Sequence, residues 1–270
     1  MTSNAALTGA DSPLVVLRPR PVPEPALRLY LFHHAGGSHI TFRPWLRLFP
    51  ANWELRLVVA PGRGKASAHP VVRDLRVLGA AFADHLATLG HDQPYALFGH
   101  SLGGLASFEA ALQLAERGAA GPEWVGVSAH PGPFNSITRS DPALYRLPPE
   151  QLRSALIDLD GLPERVLNDP LLWERVQPLV RADLEAAETW RPVIDPPVLS
   201  CPLSAFCGDR DPVADARDSL AWGRHTTEFL GVRSFPGGHF YFQDEPADLV
   251  ASIIGDIQTV RAGARHRSIA

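Results

Sequence analysis

Short apolar runs recur along the chain, each closed by glycine or proline: ALRLYLF (26–32), WELRLVVA (53–60), QPYALFG (93–99), EWVGVSA (123–129), CPLSAFCG (201–208) and FLGVRSFPG (229–237). Runs of this length and composition predict strands. Between them the period changes. Residues 71–89 carry Leu75, Leu78, Phe82 and Leu86 at spacings of three and four, and similar helical patterns occupy 41–48, 102–117, 214–225 and 246–261. Strands alternating with helices predict an α/β fold with a mainly parallel central sheet and helices on both faces.

One interval breaks the alternation. Residues 131–195 contain no strand pattern and hold PPEQLRSALIDL, PERVLND and PLLWERVQPLVRADLEAAETW, so they read as a helical insertion at one end of the sheet. In the last of these, Leu172, Val176, Leu179 and Val180 share a face that must pack on something apolar. A lid over a pocket is the sharper expectation; an ordinary peripheral subdomain is the plainer one. Residues 1–25, with RPRPVPEP, read as a flexible arm broken at most by a short strand at Leu14–Leu17, and 263–270 as a flexible tail. A single domain over 26–262 is therefore expected, with no internal repeat.

Composition narrows the function classes. Apolar residues make up 45% and charged residues 20%, and the net charge of −4 supplies no broad basic field for nucleic acid. No apolar run approaches the roughly 20 residues that span a bilayer, and the first residues lack the charged and apolar regions of a signal peptide. A cytoplasmic protein without a membrane role is expected, and nothing demands more than a monomer. The two cysteines, Cys201 and Cys207, flank one strand pattern too closely for a disulfide framework and read as thiols.

The chemistry concentrates in FGHSLGG (98–104). Gly-x-Ser-x-Gly between a strand and a helix is a nucleophile elbow, a strained turn that pushes the serine hydroxyl out of the sheet. Gly99 and Gly103 leave room for the crossing backbone. Ser101 then sits at a helix N-terminus, where the N–H of Leu102 can donate to a developing oxyanion. A serine hydroxyl needs a base, and the base an orienting acid. Both follow strand patterns further on, where parallel sheets place their sites: GDRDP after PLSAFCG, and PGGHFYF after GVRSF. His239 is the base. Asp209 and Asp211 share the first loop and spacing does not separate them, while Asp215 suits a helix cap.

With FHHAGGS (32–38), FRPW (42–45), APGR (60–63), LPPEQL (147–152), RADLEAAETW (181–190), GDRDP and GGHFYF added, the chain resembles the stand-alone type II thioesterases of polyketide and nonribosomal peptide synthesis, which have the α/β-hydrolase fold. The resemblance runs from about Ala26 to about residue 260. It implies a triad of Ser101, Asp211 and His239, oxyanion donors at the N–H groups of Leu102 and Ala35, and a mobile lid in the insertion. It also implies hydrolysis of acyl groups from the phosphopantetheine arm of an acyl or peptidyl carrier protein, with no cofactor. The chain departs from the family after APGR, where GKASAH replaces a further arginine and glutamate, and at Leu102, where methionine is common. The first departure puts a salt bridge or carrier contact from that loop in doubt.

Other motifs read less sharply. PGRGKAS lacks the first glycine of a phosphate loop, since Val59 stands there, and has Ala66 where serine or threonine is needed. Arg63 and Lys65 read instead as a solvated turn facing an acidic partner. His33, His34 and His39 lack the spacing of a metal site. His100 and His130 can pack or line a pocket, and Phe134, Trp173 and Trp190 are candidate walls of an acyl tunnel. The alternatives to a carrier thioesterase are an esterase of small oxygen esters with the same triad, and a non-catalytic ligand-binding member of the fold.

Overall fold

The computed structural model describes residues 13–89, 93–133, 142–192 and 198–269. Its strands are β1 (Val15–Leu17), β2 (Leu27–Phe32), β3 (Trp53–Val59), β4 (Tyr95–His100), β5 (Val125–Ser128), β6 (Leu203–Gly208) and β7 (Phe229–Phe235). They form a 7-stranded sheet in the order β1-β3-β2-β4-β5-β6-β7. All neighbours pair in parallel except β1, which runs antiparallel to β3. The helices are α1 (Leu75–Ala87), α2 (Leu102–Glu116), α3 (Pro149–Asp158), α4 (Glu164–Asn168), α5 (Pro170–Thr189), α6 (Ala216–Ser219) and α7 (Ala247–Ile269), with 3-10 turns at His39–Arg47, Gly64–Ala66, Leu144–Arg146 and Leu220–Arg224.

Alternation along the strands divides the core. Leu27, Leu29 and Leu31 of β2 join Phe42, Trp45, Ile253 and Ile257 on one face. Tyr30 and Phe32 join Leu78, Phe82 and Phe108 on the other. Successive side chains of a strand point to opposite faces, so a strand buried on both sides reads as an almost continuous apolar run. Asp74 starts α1 by accepting from the Arg76 N–H at 2.8 Å, which is why the 71–89 pattern becomes a helix only at Leu75. Among the described residues no helix is long and apolar enough to cross a membrane.

Three segments differ from the sequence reading. Ordered pairing begins at Val15, upstream of Ala26: Val16 lies opposite Val58, and Arg18 donates to the buried Glu54 at 2.6 Å. The short strand allowed for at Leu14–Leu17 is present, and Arg18 ties the segment after it to the body of the protein, so it is not a free arm. At the other end α7 continues to Ile269, through the expected tail, because RAGARHRS carries good helix formers and no proline. In the insertion, α5 buries Trp173, Val180, Ala182, Asp183 and Ala186, whereas Leu172, Val176 and Leu179 are half-buried, Val176 alone of the three packing on the insertion's core. The insertion owns a separate core of Leu152, Leu156, Leu162, Leu167, Trp173 and Val180.

Candidate active site

β4 ends at His100, and α2 begins at Leu102, with Ser101 between them at φ 54°, ψ −119°. A non-glycine residue in that region is strained by about 1–3 kcal/mol and persists only where its surroundings impose it. Here they do. The Ser101 N–H donates to Ser128 O of β5 at 2.7 Å. A Cβ on Gly99 would lie 2.0 Å from the Gly103 carbonyl, and one on Gly103 would lie 2.2 Å from Phe32 O. Both glycines are steric requirements of the turn.

Asp211 and His239 come from the loops after β6 and β7. His239 Nδ1 lies 3.0 Å from Asp211 Oδ2 and 3.1 Å from Oδ1, with both side chains buried. Asp211 Oδ1 also accepts from the Val213 N–H at 2.8 Å. Asp209 faces elsewhere: its Oδ1 accepts from the Gly237 N–H at 2.8 Å. Asp215 caps α6 by accepting from Asp218 N. The two loops are stitched together, since Asp209 N donates to Phe235 O at 2.8 Å and Arg210 N to Gly237 O at 2.9 Å. A Cβ on Gly208 would lie 2.2 Å from Gly238 O, so this close approach needs a glycine. Of the two acids that spacing left open, geometry places Asp211 against the histidine.

Ser101 and His239 open into one cavity of about 360 Å³. The insertion supplies much of its wall through Leu144, Ala155, Leu159, Leu184 and Ala187, together with Asp158 and Glu188, whose carboxylate accepts from the Leu144 and Tyr145 N–H groups at 3.0 Å. Of the aromatic residues expected to line a tunnel, Trp173 and Trp190 do not. Trp173 is buried in the insertion's own core, and Trp190 packs in the main core, its Nε1–H donating to the buried Glu109 at 2.9 Å. Large rings satisfy a core as readily as a tunnel. Phe134 lies outside the described residues.

The loop after β2 holds Ala35. His34 O accepts from Gly37 N–H at 3.0 Å and lies 2.8 Å from His33 Nδ1. His33 Nε2 accepts from Ala60 N–H at 3.2 Å, which assigns the ring proton to Nδ1. The peptide that bears the Ala35 N–H is thus held through its carbonyl. Gly36 N–H donates to Asp183 Oδ2 at 2.8 Å. Arg63, read from the sequence as solvated, is buried and forms a two-pronged ion pair with Asp183, at 2.7 and 2.6 Å. Its partner lies 120 residues away in the chain, beyond the reach of local pattern.

The description "Thioesterase domain" belongs to the family model that matches residues 27–258. The chain belongs to the thioesterase family. It is 33% identical over 261 residues to thioesterase PikA5 of Streptomyces venezuelae, covering 96% of this chain and 91% of that one. Its fold is the α/β-hydrolase fold of solved relatives. The type II thioesterase BorB from the borrelidin biosynthetic cluster superposes with a TM-score of 0.79 at 32% identity, covering 90% of this chain and 97% of that one. RedJ, the thioesterase of the prodiginine pathway in Streptomyces coelicolor, gives 0.75 at 36% identity, covering 87% and 96%.

This thioesterase, a thioester hydrolase, surrounds its histidine with neutral imidazoles. Burial pulls His34 down to about 3 and His130 to about 4, and holds His33 and His100 well below the ordinary value. After burial, proximity to His239 contributes to that depression at His34, His100 and His130. His100 Nδ1 meets Ser128 Oγ at 2.9 Å, and that hydroxyl meets Tyr241 OH at 2.8 Å, so His100 braces the elbow from beneath. His130 does reach the cavity wall. Sequence reasoning missed His33, Arg63, Asp183 and Glu188. FHHAGGS, APGR and RADLEAAETW had carried the resemblance, and those motifs were the signal available.

Proposed function

We propose that this thioesterase cleaves acyl thioesters from the phosphopantetheine arm of acyl or peptidyl carrier proteins, through a triad of Ser101, His239 and Asp211. The carrying observation is a strained serine facing the same cavity as a histidine whose far nitrogen is held by a buried carboxylate. His239 Nε2 takes the Ser101 proton as Oγ bonds to the thioester carbonyl carbon. The oxyanion meets the N–H groups of Leu102 and Ala35. The C–S bond then breaks, and the thiol of the arm leaves with the proton from His239, giving an acyl-enzyme. Water, deprotonated by His239, attacks the same carbon, and the carboxylic acid leaves as Ser101 recovers its proton. Asp211 keeps the ring in the Nδ1–H tautomer and stabilises the imidazolium. The apolar faces of α3 and α5 receive the acyl chain, and the insertion acts as its lid.

Two things support the carrier as donor: the type II thioesterases among the relatives, named for biosynthetic clusters, and a cavity walled by an insertion. The proposed setting is the cytoplasm, with the enzyme acting as a monomer. Acyl release from an acyl-phosphopantetheinyl carrier protein, followed by mass spectrometry beside the Ser101→Ala variant and a simple ester of the same acid, tests the reading. Fast release from the carrier that disappears in the variant supports it; release from the simple ester alone would reassign the enzyme as an esterase.

A further inference from the structure

We infer that the buried Arg63–Asp183 pair couples the seating of α5 to the shape of the oxyanion loop, which makes both side chains positioning residues for thioester hydrolysis. The inference rests on the assignment of Ala35 as an oxyanion donor. Asp183 belongs to the insertion and Arg63 to the loop after β3, yet both close on the two peptides of Gly36 and Gly37. Asp183 Oδ2 accepts from Gly36 N–H at 2.8 Å, and Arg63 Nη1 donates to Gly37 O at 3.0 Å. The side chains are only 4% and 7% exposed. The pair holds this loop from its donor side and its acceptor side at once.

The glycine completes the coupling. Gly36 stands at φ 73°, and a Cβ there would lie 2.7 Å from Val180 Cγ2, so α5 packs directly on the loop backbone. A shift of α5 therefore moves the Gly36 peptide, either by contact or through Asp183. That peptide follows the one carrying the Ala35 N–H, and the two share the Ala35 dihedrals. With α5 seated, the acyl cavity and the electrophilic site form together; with α5 displaced, the Ala35 donor loses its aim.

Stability alone does not call for such a pair. Desolvating two charges consumes most of their attraction, and apolar replacements of similar volume are often as stable or more so. Apolar side chains cannot, however, bond Gly36 N–H or Gly37 O. The double variant Arg63→Met/Asp183→Leu separates the two roles. The control is Glu185→Gln, which removes the charge from the exposed Arg73–Glu185 contact at 2.6 Å, another tie of α5 to the body of the protein that does not touch Gly36.

Hydrogen exchange of peptides covering 33–38 and 177–190 is measured first, then kcat, KM and inhibition by an alkylboronic acid that forms a tetrahedral serine adduct. In the folded double variant both peptides lose protection together. The kcat falls by about 10²–10³, the loss expected for one misplaced oxyanion donor, KM moves far less, and boronate affinity weakens in step. Glu185→Gln stays near wild type. Unchanged exchange at 33–38, or an unchanged kcat with weakened protection, overturns the coupling. If the double variant does not fold, Arg63→Lys, which keeps the charge but loses the fork, is read the same way and is expected to fall between. Exchange needs no turnover: an inactive wild type sinks the functional reading, while coupled or uncoupled exchange still decides this one.

Discussion

Replacing Asp211 by asparagine should cost more than the lost charge suggests. Asp211 Oδ1 accepts from Val213 N–H at 2.8 Å, and Oδ2 lies 3.0 Å from His239 Nδ1. An asparagine must keep its oxygen towards Val213, because the reverse orientation would set an NH₂ group against an N–H. Its NH₂ then replaces Oδ2, the nearer of the two oxygens to His239 Nδ1, while Oδ1, 3.1 Å from that nitrogen, is shared with the Val213 N–H. The ring answers by moving its proton to Nε2, the nitrogen that has to accept from Ser101. The base is occupied at the moment it is needed. Loss of tautomer control of this kind costs about 10⁴ in kcat, or about 5.4 kcal/mol at 1.36 kcal/mol per tenfold. Asp211→Ala, which leaves the tautomer free, should lose no more than Asp211→Asn. Thiol release from an acyl-carrier substrate at saturation, with thermal melting to show that both variants are folded, makes the comparison. An Asp211→Asn enzyme within tenfold of wild type would refute the role assigned to this carboxylate.

Three further outcomes are expected. Gly103→Ala puts a methyl group 2.2 Å from Phe32 O, so the elbow must move; melting should shift down by the equivalent of at least about 2 kcal/mol, with turnover lost, as calorimetry beside an activity assay would show. Ala155→Phe fills the cavity wall from α3 and should depress release of long acyl chains while sparing acetyl, measured as kcat/KM across a chain-length series. His34 and His130 have folded-state values near 3 and 4, below the unfolded value of about 6.5, so the unfolded chain binds more protons between these limits. Their contribution is complete above about pH 6.5 and is lost as pH falls towards 4, at up to about 1.4 kcal/mol per pH unit for each ring; urea melts at pH 7, 6 and 5 should shrink accordingly, and less so in a His34→Gln variant.

Pattern reaches some of this molecule and not the rest, for identifiable reasons. β2 through β6 and the Ser101 elbow were legible because largely buried apolar strands and a Gly-x-Ser-x-Gly turn are constraints on neighbouring residues; β7, an edge strand whose residues are mostly half-buried, was legible from an apolar run closed by Pro236 and Gly237. The existence of β1 was anticipated at Leu14–Leu17, but nothing local says that Val16 has a partner at Val58. Spacing confined the acid to one loop and the family resemblance pointed to Asp211; the contact with His239, and the turn of Asp209 towards Gly237 N–H, give that choice its physical reason. Trp173 and Trp190 misled because an indole in a helical insertion looks the same whether it faces a substrate or its own core. Arg63 misled for the converse reason: an arginine in a short loop looks solvated until its distant partner is known.

The stitching between the loops after β6 and β7 has a consequence for how this enzyme fails. Asp209 bonds Gly237 N–H, and the Asp209 and Arg210 amides bond Phe235 and Gly237 carbonyls, so acid and base are spaced by backbone and a second carboxylate rather than by their own contact. They behave mechanically as one part. Local opening of either loop would release both, and closure would restore both, so a heated sample should hold a mixture of fully competent and fully silent molecules instead of a population of uniformly weakened ones.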